Sequence, residues 1–166
     1  MQRYLLVAFA ALVAACGSST QEPEVVDNLA FQTADGEVVT LEDIRAEGDV
    51  RVMLISSMAG WCQPCIQEQD EFKRLHGKYS DRGLVILAAM FQDGEHQTPS
   101  EDYMRRWVDR YELPYLLLRD ADYVLRKYYE GSPPMNMVVD ADDMTILYLG
   151  AGYTADIERV IETNLK

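Results

Sequence analysis

Val50-Arg51-Val52-Met53-Leu54-Ile55-Ser56 is followed, after a short link, by Trp61-Cys62-Gln63-Pro64-Cys65, and this junction decides how the chain reads. The first segment alternates little and is mostly apolar, as expected of a strand buried on both faces. From Pro64 to about Tyr79 the period changes. Ile66, Phe72, Leu75 and Tyr79 fall roughly on one face of a helix. Two cysteines three apart thus sit where a buried strand turns into a helix, a far more specific signal than a lone C-x-x-C. Cys62 is placed at the helix N-terminus, where unpaired N–H groups and the macrodipole favour a thiolate. Cys65 follows one turn later, within reach to close a small disulfide ring. Pro64 is tolerated because first-turn N–H groups have no intrahelical partner. At this level an inert structural bridge remains an alternative.

The surrounding sequence alternates strands and helices. Phe31-Gln32-Thr33 and Glu37-Val38-Val39-Thr40 flank Ala34-Asp35-Gly36, a hairpin signal. Leu41 to Ala46 reads as a short helix and Leu84 to Met90 as a second buried strand. Ser100 is an expected N-cap for a helix with Tyr103, Met104, Trp107, Val108 and Tyr111 on its apolar face. Tyr115 to Leu118 reads as a short strand and Ala121 to Tyr129 as a further helix. Met135 to Val139 and Thr145 to Leu149 are strands joined by Asp140-Ala141-Asp142-Asp143. Thr154 caps a last helix with Ile157, Val160, Ile161 and Leu165 as its core stripe. This order predicts an α/β fold, a central mixed sheet flanked by helices, with an N-terminal β-hairpin extension.

Composition narrows the function classes. The 166 residues, 48% hydrophobic, suit one domain. With 15 Lys+Arg against 28 Asp+Glu the net charge is −13, which repels phosphate backbones and argues against nucleic acid as a partner. Three cysteines and two histidines do not suggest a four-ligand zinc site, so no metal is expected. His76 and His96 read as surface residues, and Met135 and Met137 as core or pocket lining.

Cys16 belongs to another context. A basic start is followed by the apolar run Tyr4 to Ala15, about twelve residues and too short to span a bilayer. It reads as a secretory signal. Val13-Ala14-Ala15-Cys16 resembles the lipobox of bacterial lipoproteins, which implies that Cys16 carries the lipid. The expected organisation is a signal peptide over 1–15, a flexible tether over 16–26 and one domain over 27–166. The implied location is outside the cytoplasm, anchored to a membrane facing the periplasm. Gly17 after the cysteine favours the outer membrane by analogy with enteric bacteria. Disulfides persist there, so a cysteine pair needs a redox reading.

From about Asp27 onward the chain resembles the thioredoxin superfamily, and within it the TlpA/ResA-like, redoxin-related (AhpC-TSA) thiol–disulfide oxidoreductases. The residues that carry this are Trp61-Cys62-Gln63-Pro64-Cys65, Glu68, and Pro134-Met135-Asn136-Met137-Val138-Val139-Asp140. The resemblance implies a thioredoxin fold with Cys62 as nucleophile and Cys65 as resolving thiol. Glu68 would match an active-site acid that moves protons. Trp61, Pro133 and Pro134 would border the substrate, with Pro134 as the cis-proline facing the disulfide. No cofactor is implied beyond the redox-active Cys62–Cys65 disulfide. The implied partners are protein or small-molecule disulfides and a membrane or periplasmic electron donor.

Two positions depart from the pattern. Ser56 stands where thioredoxins proper carry a buried Asp. Pro133, which lacks an N–H, stands where the family pairs its backbone with an extended substrate. Acids at Glu68, Asp70 and Glu71 oppose a thiolate and tilt the expectation toward a reductant. Two other readings stand beside it. One is a redoxin-type thiol peroxidase, disfavoured because Ala59 replaces the donor such a site needs. The other is a non-catalytic binding lipoprotein on the same fold.

Overall fold

The computed structural model describes residues 24–165. The expected signal peptide, Cys16 and most of the expected tether lie outside the described residues. Seven strands and four α-helices follow in the order β1 (Ala30–Gln32), β2 (Val38–Thr40), α1 (Leu41–Ala46), β3 (Val52–Ala59), α2 (Gln63–Tyr79), β4 (Leu84–Gln92), α3 (Glu101–Tyr111), β5 (Leu116–Arg119), β6 (Met135–Asp140), β7 (Ile146–Ala151) and α4 (Ala155–Asn164). They form one mixed sheet in the order β2-β1-β5-β4-β3-β6-β7. The β3-α2-β4 and β4-α3-β5 units are parallel, and the two hairpins at the ends pair antiparallel. The N-terminal hairpin joins the sheet by pairing β1 with β5, Gln32 opposite Arg119.

β3 lies inside the sheet between β4 and β6, and all eight of its residues are buried. That explains its lack of alternation, because both faces are covered. On one face Leu54 and Val138 pack with Phe72, Leu75 and Tyr79 of α2 and with Ile157 and Ile161 of α4. On the other, Met53, Ile55, Met137 and Val139 pack with Leu41 and Ile44 of α1. Met135 and Met137 are thus core residues. α4 is tied to α2 by Glu158, whose carboxylate accepts hydrogen bonds from Arg74 (2.6 Å), Lys78 (3.0 Å) and the Tyr79 hydroxyl (3.1 Å). These donors, Arg74 first, hold the Glu158 carboxyl down at about 2.

Two local expectations are corrected. Ala121 to Tyr129 is not an α-helix; only Val124–Lys127 forms a single 3-10 turn. The buried Asp120 carboxylate accepts the N–H groups of Val124 (2.7 Å) and Leu125 (3.3 Å), which occupies donors that an α-helix needs early on. Tyr123 at φ +50° then breaks the helical path. Thr154 does precede α4, but its side chain makes no cap bond. Its hydroxyl pairs with that of Tyr148 instead, at 3.2 Å. Ser100 caps α3 as expected, accepting the Tyr103 N–H at 3.2 Å.

Candidate active site

The cysteine pair sits where β3 ends and α2 begins. Cys62 is the N-cap of α2, and its Sγ accepts the Cys65 N–H at 3.1 Å. Sulfur thereby takes the capping role usually filled by Ser or Asp. Cys62 and Cys65 are joined as a disulfide, with Cα atoms 5.3 Å apart. Among the first-turn residues none is acidic, so nothing there cancels the positive helix end. Each cysteine exposes only 3% of its surface, which leaves a partner sulfur a narrow approach.

Trp61 forms one rim. Its Nε1 donates to Gln92 Oε1 at 3.0 Å, and its ring meets Phe91 edge-on at 6.5 Å. The outer face of Trp61 is covered by His96, stacked at 4.9 Å and 26°. His96 is exposed, as expected, but its placement against Trp61 was not legible in the sequence. A tight loop puts it there. Asp93 Oδ1 accepts the N–H groups of Glu95 (2.8 Å) and Gln97 (2.9 Å), and His96 adopts φ +62°. That loop lies so close to Gly60 that a Cβ would come within 2.8 Å of the Gly94 nitrogen. Only glycine fits beneath it.

Pro134 immediately precedes β6. The Pro133–Pro134 bond is cis. Ser57 is opposite Met135 in the β3–β6 register, so this bond is level with the end of β3 that leads to Trp61 and Cys62. The Pro134 carbonyl is already used, accepting the Gly152 N–H at 3.0 Å.

Glu68 lies one turn beyond Cys65 on the inner face of α2 and is only 6% exposed. Asn136 Nδ2 donates to its Oε1 at 3.1 Å, while Oε2 has no partner among the described residues. Burial pushes the Glu68 carboxyl up to about 7; the Asn136 amide and the Tyr153 N–H pull the other way. Asp70 and Glu71 do not share this site. They point outward and pair with Lys73 (3.6 Å) and Arg74 (2.9 Å). The acidity expected around the motif therefore reduces to Glu68. Ser56, 1% exposed, sits opposite Asn136 in the sheet. Asn136 was missed as a site residue. The available signal was a lone amide inside an apolar strand, since buried polar groups are paired. Among the described residues, no three His, Cys, Asp or Glu side chains converge as metal ligands would.

The family model described as AhpC/TSA matches residues 24–146. The chain belongs to the AhpC/TSA family. Among curated relatives, the thioredoxin-like protein YneN of Bacillus subtilis is 28% identical over 120 residues, covering 72% of this chain and 66% of its own. The thiol-disulfide oxidoreductase ResA of Bacillus cereus is 22% identical over the same length, covering 72% and 64%. The chain thus spans just under two thirds of the length of the curated relatives it matches. Among solved structures, a thioredoxin-family thiol:disulfide interchange protein from Chlorobium tepidum superposes with a TM-score of 0.67 at 15% identity, covering 88% of this chain and 99% of that one. A thioredoxin-like protein from Aeropyrum pernix gives 0.66 at 23%, covering 82% and 89%. This likeness establishes a thioredoxin-like fold for this AhpC/TSA member.

Proposed function

We propose that the protein is a thiol–disulfide oxidoreductase that acts through Cys62 and Cys65. The observation that carries this is the disulfide capping the N-terminus of a 17-residue helix, with a buried acid one turn further on. In the reduced protein the Cys62 thiolate attacks a partner disulfide, forming a mixed disulfide and releasing one partner thiolate. The Cys65 thiol gives its proton to the Glu68 carboxylate, and its sulfur attacks Cys62 Sγ. The Cys62–Cys65 bond forms and the second partner sulfur leaves as a thiolate. Trp61, Pro133 and Pro134 border the incoming chain. A negative Glu68 beside the pair opposes a second negative charge, which favours the oxidised protein and hence a reducing role.

The reduced protein is expected to reduce a small aromatic disulfide stoichiometrically, two thiols per chain, in stopped flow. Hydrogen peroxide at equal concentration is expected to be consumed no faster than by free cysteine. Fast peroxide consumption with a sluggish disulfide reaction would favour a peroxidase instead. Ala59, at the end of β3, offers no side-chain donor for that chemistry.

Substrate gripping rests on one further feature. Pro133 has no N–H, so one of the two backbone bonds to an extended peptide is lost, a difference of order 1 kcal/mol. Pro133→Thr is expected to lower the KM for a peptide disulfide several-fold while leaving kcat nearly unchanged. An unchanged KM contradicts this.

The cellular setting in this proposal is a lipid anchor at Cys16 on a membrane facing the periplasm, with the outer membrane favoured, and an electron donor in the same compartment. Apolar residues 4–15 ending at Val13-Ala14-Ala15-Cys16 support it. Cys16→Ser is expected to move the protein from the membrane pellet to the soluble fraction. Retention in the pellet counts against the anchor. The substrates are disulfides of extracytoplasmic proteins or small thiols, with cytochrome c maturation or periplasmic thiol homeostasis as the setting.

A further inference from the structure

Asn136 is fully buried, and the strands on both sides of it are paired through, with Ser56 opposite in β3 and Gly150 opposite in β7. Along β6, Met135, Met137 and Val139 face the α1 side of the sheet. Asn136 alternates with them and faces α2 with Val138. A buried amide costs free energy unless it is paired, so an interior position between two methionines needs a reason. Its only side-chain bond is Nδ2 to Glu68 Oε1, at 3.1 Å.

The pair is asymmetric in an informative way. Asn136 Oδ1 and Glu68 Oε2 are both buried, and neither has a hydrogen-bond partner among the described residues. Both are acceptors, so they cannot satisfy each other while Glu68 is ionised. One proton on Glu68 turns an acceptor into a donor, and an amide facing a carboxylic acid then makes two bonds instead of one. Asn is the side chain that serves both states: its Nδ2 donates to the anion and its Oδ1 accepts from the acid. A hydroxyl puts donor and acceptor on one atom and would have to turn between the two states, and an apolar residue would make no bond.

We propose that Asn136 is a positioning residue for Glu68, holding it through Nδ2 when charged and through both amide atoms when protonated, so that the acid changes charge inside the core without losing its partner. This rests on the reading that Glu68 takes the Cys65 proton. It adds the residue that keeps that proton acceptor in place. The anion's single bond is charge-assisted and exchanges for two neutral ones on protonation, and the net effect of Asn136 on Glu68 is downward, against burial. The other groups around Glu68 are Cys65 on its own helix, the Tyr153 N–H before α4 and the buried Tyr115 hydroxyl before β5. Exposed Asp70 adds charge from α2 but is paired with Lys73.

The test is the titration of the Glu68 side-chain carbon, followed by NMR in the oxidised full chain labelled at glutamate. Asn136→Leu, close in volume, is expected to raise Glu68's proton affinity about tenfold. Asn136→Asp, closer still in shape, is expected to raise it by more, because two carboxyls then share one proton. The acid limb of the disulfide-reduction rate against pH is expected to move by the same factor. A purely structural Asn136 would lower the unfolding midpoint and leave the titration in place. If the Glu68 titration stays within twofold of wild type in whichever of the two variants folds, the proposal is overturned. The oxidised-state titration needs no turnover. A shifted titration in a protein that reduces no disulfide would instead sink the oxidoreductase reading and leave the Asn136–Glu68 coupling standing.

Discussion

Cys62→Ser is expected to abolish disulfide reduction, with a rate loss of at least about a thousandfold. A hydroxyl at the same N-cap keeps the helix start but supplies no nucleophile at neutral pH. Serine is among the best N-cap residues, so α2 should still begin at Gln63. The structural cost is the lost crosslink. Only Gln63 and Pro64 lie between the two cysteines, so the loop-closure entropy at stake is small, about 2 kcal/mol. The variant is expected to retain a wild-type far-UV circular dichroism spectrum. The measurement is the rate of thiol release from a small aromatic disulfide, with folding checked in the same sample. Residual turnover above a few percent would mean that another group performs the attack.

Glu68→Gln is expected to remove most of the pH dependence of stability between about pH 4.5 and 7. In the folded protein the Glu68 carboxyl is pushed up from 4.5 to about 7. Between those values the folded chain keeps a proton that the unfolded chain has released. Stability therefore falls as pH rises through the window, and the loss is complete above the folded value. The full difference is about 3 kcal/mol. Glutamine is neutral throughout and keeps an oxygen for the Asn136 donor. It is expected to match wild type below pH 4.5 and to exceed it by up to about 3 kcal/mol at pH 8. Other groups change with pH too. Glu158 is held low by Arg74 and Lys78, and Asp120 is raised by burial. Both contribute equally to the two proteins, so the difference between parallel urea titrations isolates Glu68. Parallel curves at all pH values would show that Glu68 is not a buried titrating acid. The gain in stability should come with slower release of the mixed disulfide, because Cys65 loses its proton acceptor.

The parts of this protein that were legible in its sequence are those with local causes. The β3-to-α2 junction announced itself through an apolar strand, a Pro in the first helical turn and two cysteines three apart. The Ser100 cap and the hairpin around Asp35-Gly36 were likewise local. Ala121 to Tyr129 failed because a buried carboxylate at Asp120 reorganised the backbone from outside the segment. The missing site residues are long-range. Asn136 meets Glu68 across 68 positions and Gln92 meets Trp61 across 31, and neither spacing has a sequence period. His96 reaches Trp61 only through the Asp93 turn. The acids beside the motif misled for the opposite reason. Glu68, Asp70 and Glu71 look alike in the sequence, but helical geometry turns one inward and two toward solvent.

In the proposed mechanism Cys62 attacks and Cys65 resolves. The most direct measurement is intact-mass analysis of reduced Cys65→Ser after mixing with a small disulfide of known mass. A single adduct equal to one half of that disulfide, located at Cys62 by peptide mapping, is the predicted result, and Cys62→Ser treated in parallel should carry the adduct far more slowly. No adduct on Cys65→Ser within the time of wild-type turnover, or an equal adduct on Cys65 when Cys62 is absent, would contradict the claim.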